Sequence, residues 1–165
     1  MVSSKEERLE SPVYGVRLSS VGPSRWTGSD VVHELSGMDL AMKLHYLKGV
    51  YFFSSHAAQG VTLVRLKETI FEWFNHNYYT SGRVWRSEES GRRRPYIKCN
   101  DCGSRFIEAQ CDKTVDECLE TKDWSLHNLL VPQQDIGPEL SFSPPLLIQV
   151  LVGLGIGPVN RVINY

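Results

Sequence analysis

The strongest constraint on how this chain folds is an apolar run near its C-terminal end. Pro144 and Pro145 introduce residues 146–152, Leu-Leu-Ile-Gln-Val-Leu-Val, which carry no charge. A short apolar run rich in branched side chains is typical of a strand that is covered on both faces. We therefore expect a central strand here, and the rest of the chain must supply layers on either side of it.

Four further segments predict strands. Residues 13–21 are rich in β-branched side chains and end at a Gly-Pro pair, which predicts a strand followed by a loop. Residues 49–53, Gly-Val-Tyr-Phe-Phe, are aromatic and β-branched and predict a buried strand. Residues 96–99 and 106–109 flank the turn-forming cluster Asn-Asp-Cys-Gly-Ser, which predicts a β-hairpin.

Helical signals alternate with these strands. Residues 61–75 predict an amphipathic helix that begins after Thr62, because the apolar positions recur at helical spacing: Leu63, Leu66, Ile70 and Trp73. Ser36 and Asp39 form a capping-box pattern ahead of a short helix over residues 38–46. Thr114 and Glu117 repeat that pattern ahead of a helix up to residue 122. The chain therefore predicts an α/β fold, a mixed α+β sheet layer without internal repeats.

Charge and hydropathy exclude two classes of partner. Eighteen Lys and Arg against nineteen Asp and Glu give a net charge of −1, so we expect no nucleic-acid binding through global positive charge. No window holds the run of about 18 apolar residues that a membrane span requires. Residues 1–12 read as a polar, flexible N-terminal tail without the apolar segment of a secretory signal. We expect a cytoplasmic protein whose cysteines are reduced thiols.

The cysteine pattern does not predict a metal or redox centre. Cys99 and Cys102 have the spacing of half a zinc site, but Cys111 and Cys118 are seven apart and do not supply the second pair. A thioredoxin-type pair lies where a strand meets a helix, whereas this pair spans the expected hairpin turn. We therefore expect ordinary thiols and no bound metal.

Two other motifs have equally plain interpretations. The cluster Arg92-Arg-Arg94 could bind phosphate, but it follows two glutamates and lacks interleaved aromatic side chains, which favours a solvated loop. Gly153-x-Gly-x-Gly157 resembles a phosphate-binding loop, but the Lys-Ser/Thr pair of such loops is missing. Neither motif is assigned a ligand.

The histidines do not form a recognisable catalytic group either. We assign none of the five to a metal site on one helix face, and no Gly-x-Ser-x-Gly elbow occurs: His33, His45, His56, His76 and His127. From residue chemistry alone, the chain shows no active site.

An ordered set of motifs carries a family resemblance. The set comprises Val16-Arg-Leu-Ser-Ser-Val21, Ser36-Gly-Met-Asp-Leu-Ala-Met-Lys-Leu-His-Tyr46, Gly49-Val-Tyr-Phe-Phe53, Ser81-Gly-Arg83, Pro95-Tyr-Ile-Lys-Cys-Asn-Asp101, Gly103, Glu108-Ala109, Gly137-Pro-Glu-Leu-Ser-Phe-Ser-Pro144 and Leu147-Ile-Gln-Val150. In this order they resemble the N-terminal region of plant BAHD (HXXXD-type) acyltransferases. More narrowly, they resemble the eceriferum, or glossy-like, group of cuticular wax biosynthesis.

The resemblance implies a fold and a chemistry. The fold would be the N-terminal portion of a chloramphenicol-acetyltransferase-like domain, one of two similar α/β domains with a channel between them. The family substrate would be acyl-CoA, and no resident cofactor is implied. The family's His-x-x-x-Asp motif supplies a general base, because a neutral alcohol is a poor nucleophile, while the Asp is mainly structural. A second motif, Asp-Phe-Gly-Trp-Gly, lies far downstream.

The sequence departs from the family pattern after Val150. None of the five histidines is followed four residues later by Asp, so no residue inherits the role of the base, and we assign no catalytic, cofactor-binding or metal-binding residues. We expect residues 13–150 to form part of the N-terminal domain and residues 151–165 to be a divergent C-terminal tail. The hypothesis is a truncated product: a frameshift, a retained intron or an alternative exon near Leu151.

Three functional hypotheses follow from this resemblance and this departure. The first is acyl transfer from acyl-CoA, for which this chain lacks the base. The second is a non-catalytic role in very-long-chain fatty acid elongation, with the condensing enzyme of the elongase as partner at the endoplasmic reticulum. The third is an unproductive fragment, since residues 146–152 would leave an uncharged, aggregation-prone strand edge exposed.

Overall fold

In the computed structural model, the described residues are 11–42, 46–86, 94–122, 124–132, 142–153 and 160–164. They form eight strands: β1 Val13–Val21, β2 Val32–Glu34, β3 Val50–Phe53, β4 Arg83–Trp85, β5 Tyr96–Lys98, β6 Ser104–Cys111, β7 Leu147–Gly153 and β8 Asn160–Asn164. They also form four helices and one 3-10 turn: α1 Gly37–Ala41, α2 Leu63–Trp73, α3 Val115–Glu120, α4 Trp124–Leu130 and the turn Tyr78–Ser81.

The main sheet has five strands in the order β1-β6-β7-β8-β3. The β6–β7 pair is parallel, and the other three pairs are antiparallel. The mixed sheet matches the α/β class expected from the sequence. Residues 151–153 and 160–164, assigned to a divergent tail from the sequence, lie in strands β7 and β8 of this sheet.

Strand β7 lies at the centre of the sheet, as its apolar run predicts. Four of its apolar side chains are at most 7% exposed: Leu147, Ile148, Val150 and Leu151. Each such burial stabilises the fold by about 1.5–3 kcal/mol relative to an exposed side chain. The expectation that residues 146–152 form an exposed edge is wrong, because β6 and β8 pair with both sides of β7.

Helix α2 covers one face of the sheet, and its prediction is confirmed. The Thr62 hydroxyl accepts a hydrogen bond from the backbone N–H of Arg65 at 3.1 Å, which caps the helix. Ile70 and Phe74 pack into a core against the sheet; its other buried members are Val21, Phe106, Ile148 and Val150. Beside this core, Lys67 Nζ lies 2.5 Å from Glu108 Oε1 and 4.8 Å from the centre of the Phe106 ring.

Helices α3 and α4 cover the opposite face. Thr114 and Glu117 form the predicted capping box at the start of α3. The buried members of this second core are Ala109, Cys111, Cys118, Leu130 and Leu151. The sequence pattern did not indicate α4, but Gln149 Nε2 donates to the Leu130 carbonyl at 2.8 Å and fastens the end of that helix to β7.

Strands β2, β5 and β4 form a second, antiparallel sheet in the order β2-β5-β4. The expected hairpin of residues 96–99 with residues 106–109 is therefore wrong, since β5 pairs with β2 and β4 while β6 pairs with β1 and β7. The turn between β5 and β6 is real: Asp101 and Gly103 both have positive φ, at 52° and 76°. It carries the chain from one sheet to the other instead of folding it back on itself.

Two further expectations are revised, one for strand β3 and one for helix α1. Strand β3 is an edge strand in this part of the structure and is not fully buried, because Tyr51 is 52% and Phe53 37% exposed. The Ser36–Asp39 capping box is confirmed. Helix α1, expected over residues 38–46, covers Gly37–Ala41, and residues 43–45 lie outside the described part.

Candidate functional site

A groove lies between the small sheet and the segment that leads into β7. Its volume is about 320 Å³. We call it the Tyr46 groove, and its lining residues are His33, Leu35, Asp39, Met42, Tyr46, Tyr79, Thr80, Val84, Ile97, Pro144 and Pro145. His33, Ile97 and Val84 are register partners across the small sheet and provide one side of the groove, while helix α1, Tyr46, the 3-10 turn and the Pro144–Pro145 segment supply the rest of the lining.

Tyr46 joins the segment after α1 to the start of β7. Its hydroxyl donates a hydrogen bond to the Pro144 carbonyl at 2.8 Å. Burial raises the pKa of the Tyr46 phenol, while the charges of Arg105 and Arg83 act in the opposite direction. The phenol is therefore a protonated hydrogen-bond donor near neutral pH, and it holds the two sides of the groove in a fixed relation.

An aromatic pair and a carboxylate define the β2 side of the groove. The rings of His33 and Tyr79 are stacked, with centres 4.5 Å apart and an interplanar angle of 16°. Asp39 is exposed near His33, and its Oδ2 accepts the backbone N–H of Ser36 at 2.8 Å. Hydrogen bonds from Ser36 lower the pKa of Asp39. The groove thus carries one carboxylate that is ionised near neutral pH.

Arg83 anchors the turn between β5 and β6. The side chain is 7% exposed, and its Nη1 donates to the carbonyls of Gly82 and Gly103, each at 2.7 Å. Nη2 reaches the Cys102 carbonyl at 3.4 Å. Burial lowers the pKa of Arg83. Its cation is used to bind backbone oxygens, so it serves the architecture of the groove.

The Tyr46 groove lies at a defined end of the main sheet. Pro144 and Pro145 lie one residue before β7, and the last residue of β8, Asn164, pairs with Gln149 of β7 and Val50 of β3. Because β8 runs antiparallel to both neighbours, its carboxyl end lies at the end of the sheet where β7 begins. The groove and the carboxyl end of β8 therefore share one end of the sheet.

A second groove lies beside α4 and the start of β3. Its volume is about 300 Å³, and it is lined by Lys48, Val50, His127, Asn128 and Val131. The Nε2 atom of His127 lies 3.2 Å from the Cys118 carbonyl oxygen. Lys48 gives this groove a cation, whereas Asp39 gives the Tyr46 groove a carboxylate.

The cysteines are dispersed among different environments. Cys99 is buried, Cys102 is exposed, and both are free thiols. Cys111 and Cys118 are free thiols in the core beneath α3, where burial raises the pKa of both, that of Cys118 to about 11. Buried thiols with raised pKa are weak nucleophiles. In the part of the chain that the structure describes, no group of three or more His, Cys, Asp or Glu could hold a metal ion.

The remaining sequence candidates do not converge on a site. Arg92, Arg93, His45 and the glycine motif beyond Gly153 lie outside the described residues. The structure places His33 in the Tyr46 groove and His127 in the second groove, and His56 and His76 are exposed. Within the described ranges, no helix is long and apolar enough to cross a membrane.

Comparison with known proteins places the chain in a family. A family model described as the Transferase family matches residues 16–157. Protein ECERIFERUM 26 from Arabidopsis thaliana is 46% identical over 159 residues, which covers 94% of this chain and 36% of that protein. Protein ECERIFERUM 2 from the same plant is 41% identical over 149 residues, covering 85% of this chain and 35% of the relative.

Two more distant proteins are also similar to this chain. A hydroxycinnamoyltransferase from Narcissus pseudonarcissus is 28% identical over 150 residues, covering 86% of this chain and 34% of that enzyme. The crystal structure of vinorine synthase superimposes with a TM-score of 0.69 at 16% identity, covering 92% of this chain and 37% of that one, which establishes the shared fold. The chain spans about a third of the length of the curated relatives it matches. It belongs to the Transferase family, the BAHD-type acyltransferases, and within that family it is similar to the eceriferum proteins.

Proposed function

We propose that this chain acts in very-long-chain fatty acid elongation and cuticular wax synthesis without transferring an acyl group itself. The observation that carries the proposal is its identity of 46% and 41% to two eceriferum proteins over most of its length. The family model and the shared fold place the chain in the family. The proposal therefore concerns the role of this portion of the fold.

A non-catalytic role is proposed for the residues of this chain alone. Acyl transfer to a hydroxyl or amine requires proton removal by a positioned group. In the family that group is the histidine of His-x-x-x-Asp, and none of the five histidines here precedes an Asp at that spacing. The family substrate acyl-CoA is accordingly proposed as a ligand of the wider family fold and is not assigned a site in this chain.

The proposed partner is the condensing enzyme of the fatty acid elongase. Cooperation with another enzyme needs a folded surface and does not need a general base. The described residues form one hydrophobic core on each face of the main sheet. The partnership implies association with the endoplasmic reticulum, where elongation occurs. The proposed layout is a partial N-terminal domain over residues 13–150 followed by a segment that diverges from the family's sequence pattern.

Two assays test the proposal. The chain is co-expressed with a condensing enzyme, and the chain lengths of the fatty acid products are profiled. The proposal expects longer products than the condensing enzyme makes alone, and an unchanged profile at equal expression would contradict it. Purified chain is then incubated with acyl-CoA and candidate acceptors, where free CoA above the level without protein would refute the non-catalytic role.

A second candidate is an unproductive fragment, and strand β3 is the observation that favours it. Val50–Phe53 is uncharged and lies at one edge of the main sheet, with Tyr51 and Phe53 partly exposed. Such edges pair with other chains and promote aggregation. Low solubility and strong binding of a dye that reports apolar surface would support this candidate, and a soluble monomer would exclude it.

A further inference from the structure

We propose that Cys111 and Cys118 form a reversible intrachain disulfide when the chain meets a hydroperoxide, and that this bond ties helix α3 to strand β6. The inference goes beyond the proposed function, since it concerns the covalent state of the fold whether or not the chain acts in elongation. It rests on the contact between the two thiols and on the small cavity beside them.

The two thiols meet in the core beneath α3. Cys111 is the last residue of β6, Cys118 lies seven positions later in α3, and each is 3% exposed. Their side chains are hydrogen-bonded to each other. Because the sulfur atoms are already within hydrogen-bonding reach, only a short approach separates them from a disulfide bond of about 2.05 Å.

The surroundings permit that approach. The backbone of Cys111 is held between Val13 of β1 and Gly153 of β7, so Cys111 is the fixed partner. Helix α3 spans only Val115–Glu120, and a helix this short depends on packing for its stability, which makes it the partner that can move. A cavity of about 10 Å³ adjoins both thiols and gives their side chains room to rotate.

The hydrogen bonds assign the roles of the two thiols. Burial raises the pKa of Cys111, while hydrogen bonds from the Lys113 backbone N–H and from the Cys118 thiol act in the opposite direction. Burial raises the pKa of Cys118 to about 11. Cys111 is therefore the more readily ionised thiol and the attacking group, and its burial makes the attack slow.

The reaction balances with hydrogen peroxide as the oxidant. The Cys111 thiolate attacks one peroxide oxygen, the O–O bond breaks, and the departing hydroxide takes up the proton that Cys111 released. Cys111 then carries a sulfenic acid. The Cys118 sulfur attacks the sulfenic sulfur and displaces hydroxide, which leaves as water with the Cys118 proton. Two thiols are thus oxidised by two electrons, and one peroxide is reduced to two waters.

Peptide mapping of the folded, full chain tests the proposal. The chain is treated with hydrogen peroxide, remaining thiols are alkylated, and the protein is digested with trypsin without reduction. Trypsin cleaves after Lys and Arg, so Cys111 falls in residues 106–113 and Cys118 in residues 114–122. We expect these two peptides to be joined, and to separate after reduction. Recovery of the two peptides only singly, alkylated or irreversibly oxidised, would overturn the proposal.

The Cys-x-x-Cys pair is an internal control. Cys99 and Cys102 remain together in the tryptic peptide 99–105. The Cys99 thiol donates to the Ile97 carbonyl at 3.9 Å, and Cys102 is exposed. We expect the bond between the two touching thiols to form in about tenfold excess over a bond within this peptide, because the fold presents them as a positioned pair. Equal amounts, or the same excess when oxidation is carried out in urea, would contradict the dependence on the folded contact.

Serine variants test the order of the steps. In Cys118→Ser the sulfenic acid of Cys111 has no thiol to resolve it, so we expect dimedone to capture it there and to capture little in the parent chain. In Cys111→Ser we expect no adduct at Cys118, and an equal adduct there would overturn the assigned order. Cys102→Ser, at an exposed position, should retain the bond between the touching thiols. Circular dichroism melting curves check that each variant folds.

The bond should also change the stability of the fold. Closing the short loop between β6 and α3 is expected to lower the unfolding equilibrium constant in urea by about tenfold in the oxidised chain. Cys118→Ser treated in the same way should show no such shift. An unchanged unfolding midpoint in the cross-linked chain would show that the bond does not tie α3 to β6. These readouts follow thiol chemistry and unfolding, so they stand or fall separately from the chain-length assay of the proposed function.

Discussion

Replacing Arg83 by Met removes the buried cation that binds the turn between β5 and β6. Two hydrogen bonds of 2.7 Å, to the carbonyls of Gly82 and Gly103, are lost together with the longer bond to Cys102. Hydrogen bonds from charged donors contribute about 1.5–3 kcal/mol each, so the gross loss is about 3–6 kcal/mol. Relief of the desolvation of the guanidinium offsets part of this, which leaves a net loss of about 2–4 kcal/mol in the free energy of unfolding.

The measurement is urea unfolding followed by circular dichroism. Arg86→Met is the matched control, since Arg86 is exposed at the end of the same segment and its loss should change stability by at most about 0.5 kcal/mol. Arg83→Lys should be intermediate, because an ammonium group cannot reach both carbonyls with the fixed geometry of a guanidinium. If Arg83→Met unfolds within about 0.5 kcal/mol of the parent chain, the assignment of Arg83 as an anchor is refuted.

Three further perturbations probe other parts of the structure. Gly103→Ala should destabilise the chain by about 2 kcal/mol or more in the same urea assay, because φ is 76° and the new Cβ would lie 2.6 Å from the Val21 carbonyl oxygen; an unchanged midpoint would contradict this. The raised pKa of Tyr46 contributes stability that is present below the unfolded-state pKa of about 10 and lost as pH rises through the higher folded-state pKa; Tyr46→Phe should flatten that alkaline decline, and an identical decline would assign it elsewhere. A thiol reagent should modify Cys102 first in the folded chain, because the other three cysteines are buried; mass spectrometry showing equal labelling would oppose this.

Local signals predicted local structure well. The strand over residues 13–21 and the caps at Thr62 and Thr114 were all confirmed. Each depends on side chains within a few residues of one another, as in the capping box, where Thr114 and Glu117 exchange hydrogen bonds directly. The apolar run of β7 also predicted a central position correctly, because no other environment buries both faces of a strand.

Long-range pairing could not be read in the same way. The turn signal at residues 100–104 was correct, but it did not specify whether the flanking strands pair with each other, and β5 joins β2 and β4 instead. Strand β3 has the composition of a buried strand, yet its place at an edge leaves Tyr51 half-exposed. Composition reports the preference of a side chain for burial, whereas topology decides whether a neighbour covers it.

The sequence did not predict the Tyr46 groove, because no contiguous motif encodes it. Its walls come from separated segments, and His33 meets Tyr79 across 46 positions only through the fold. The usable signals were indirect: the capping box that places Asp39, and the Pro-Pro pair before β7. Family resemblance supplied the fold but pointed to a histidine motif that this sequence does not contain.

The most direct test of the proposed role is the product profile of a condensing enzyme expressed with and without this chain. Arg83→Met serves as the control for a chain whose fold is weakened, with both proteins quantified in each strain. We expect longer fatty acids with the parent chain and a smaller shift with Arg83→Met. The same product lengths in the presence and absence of the folded chain would contradict the account.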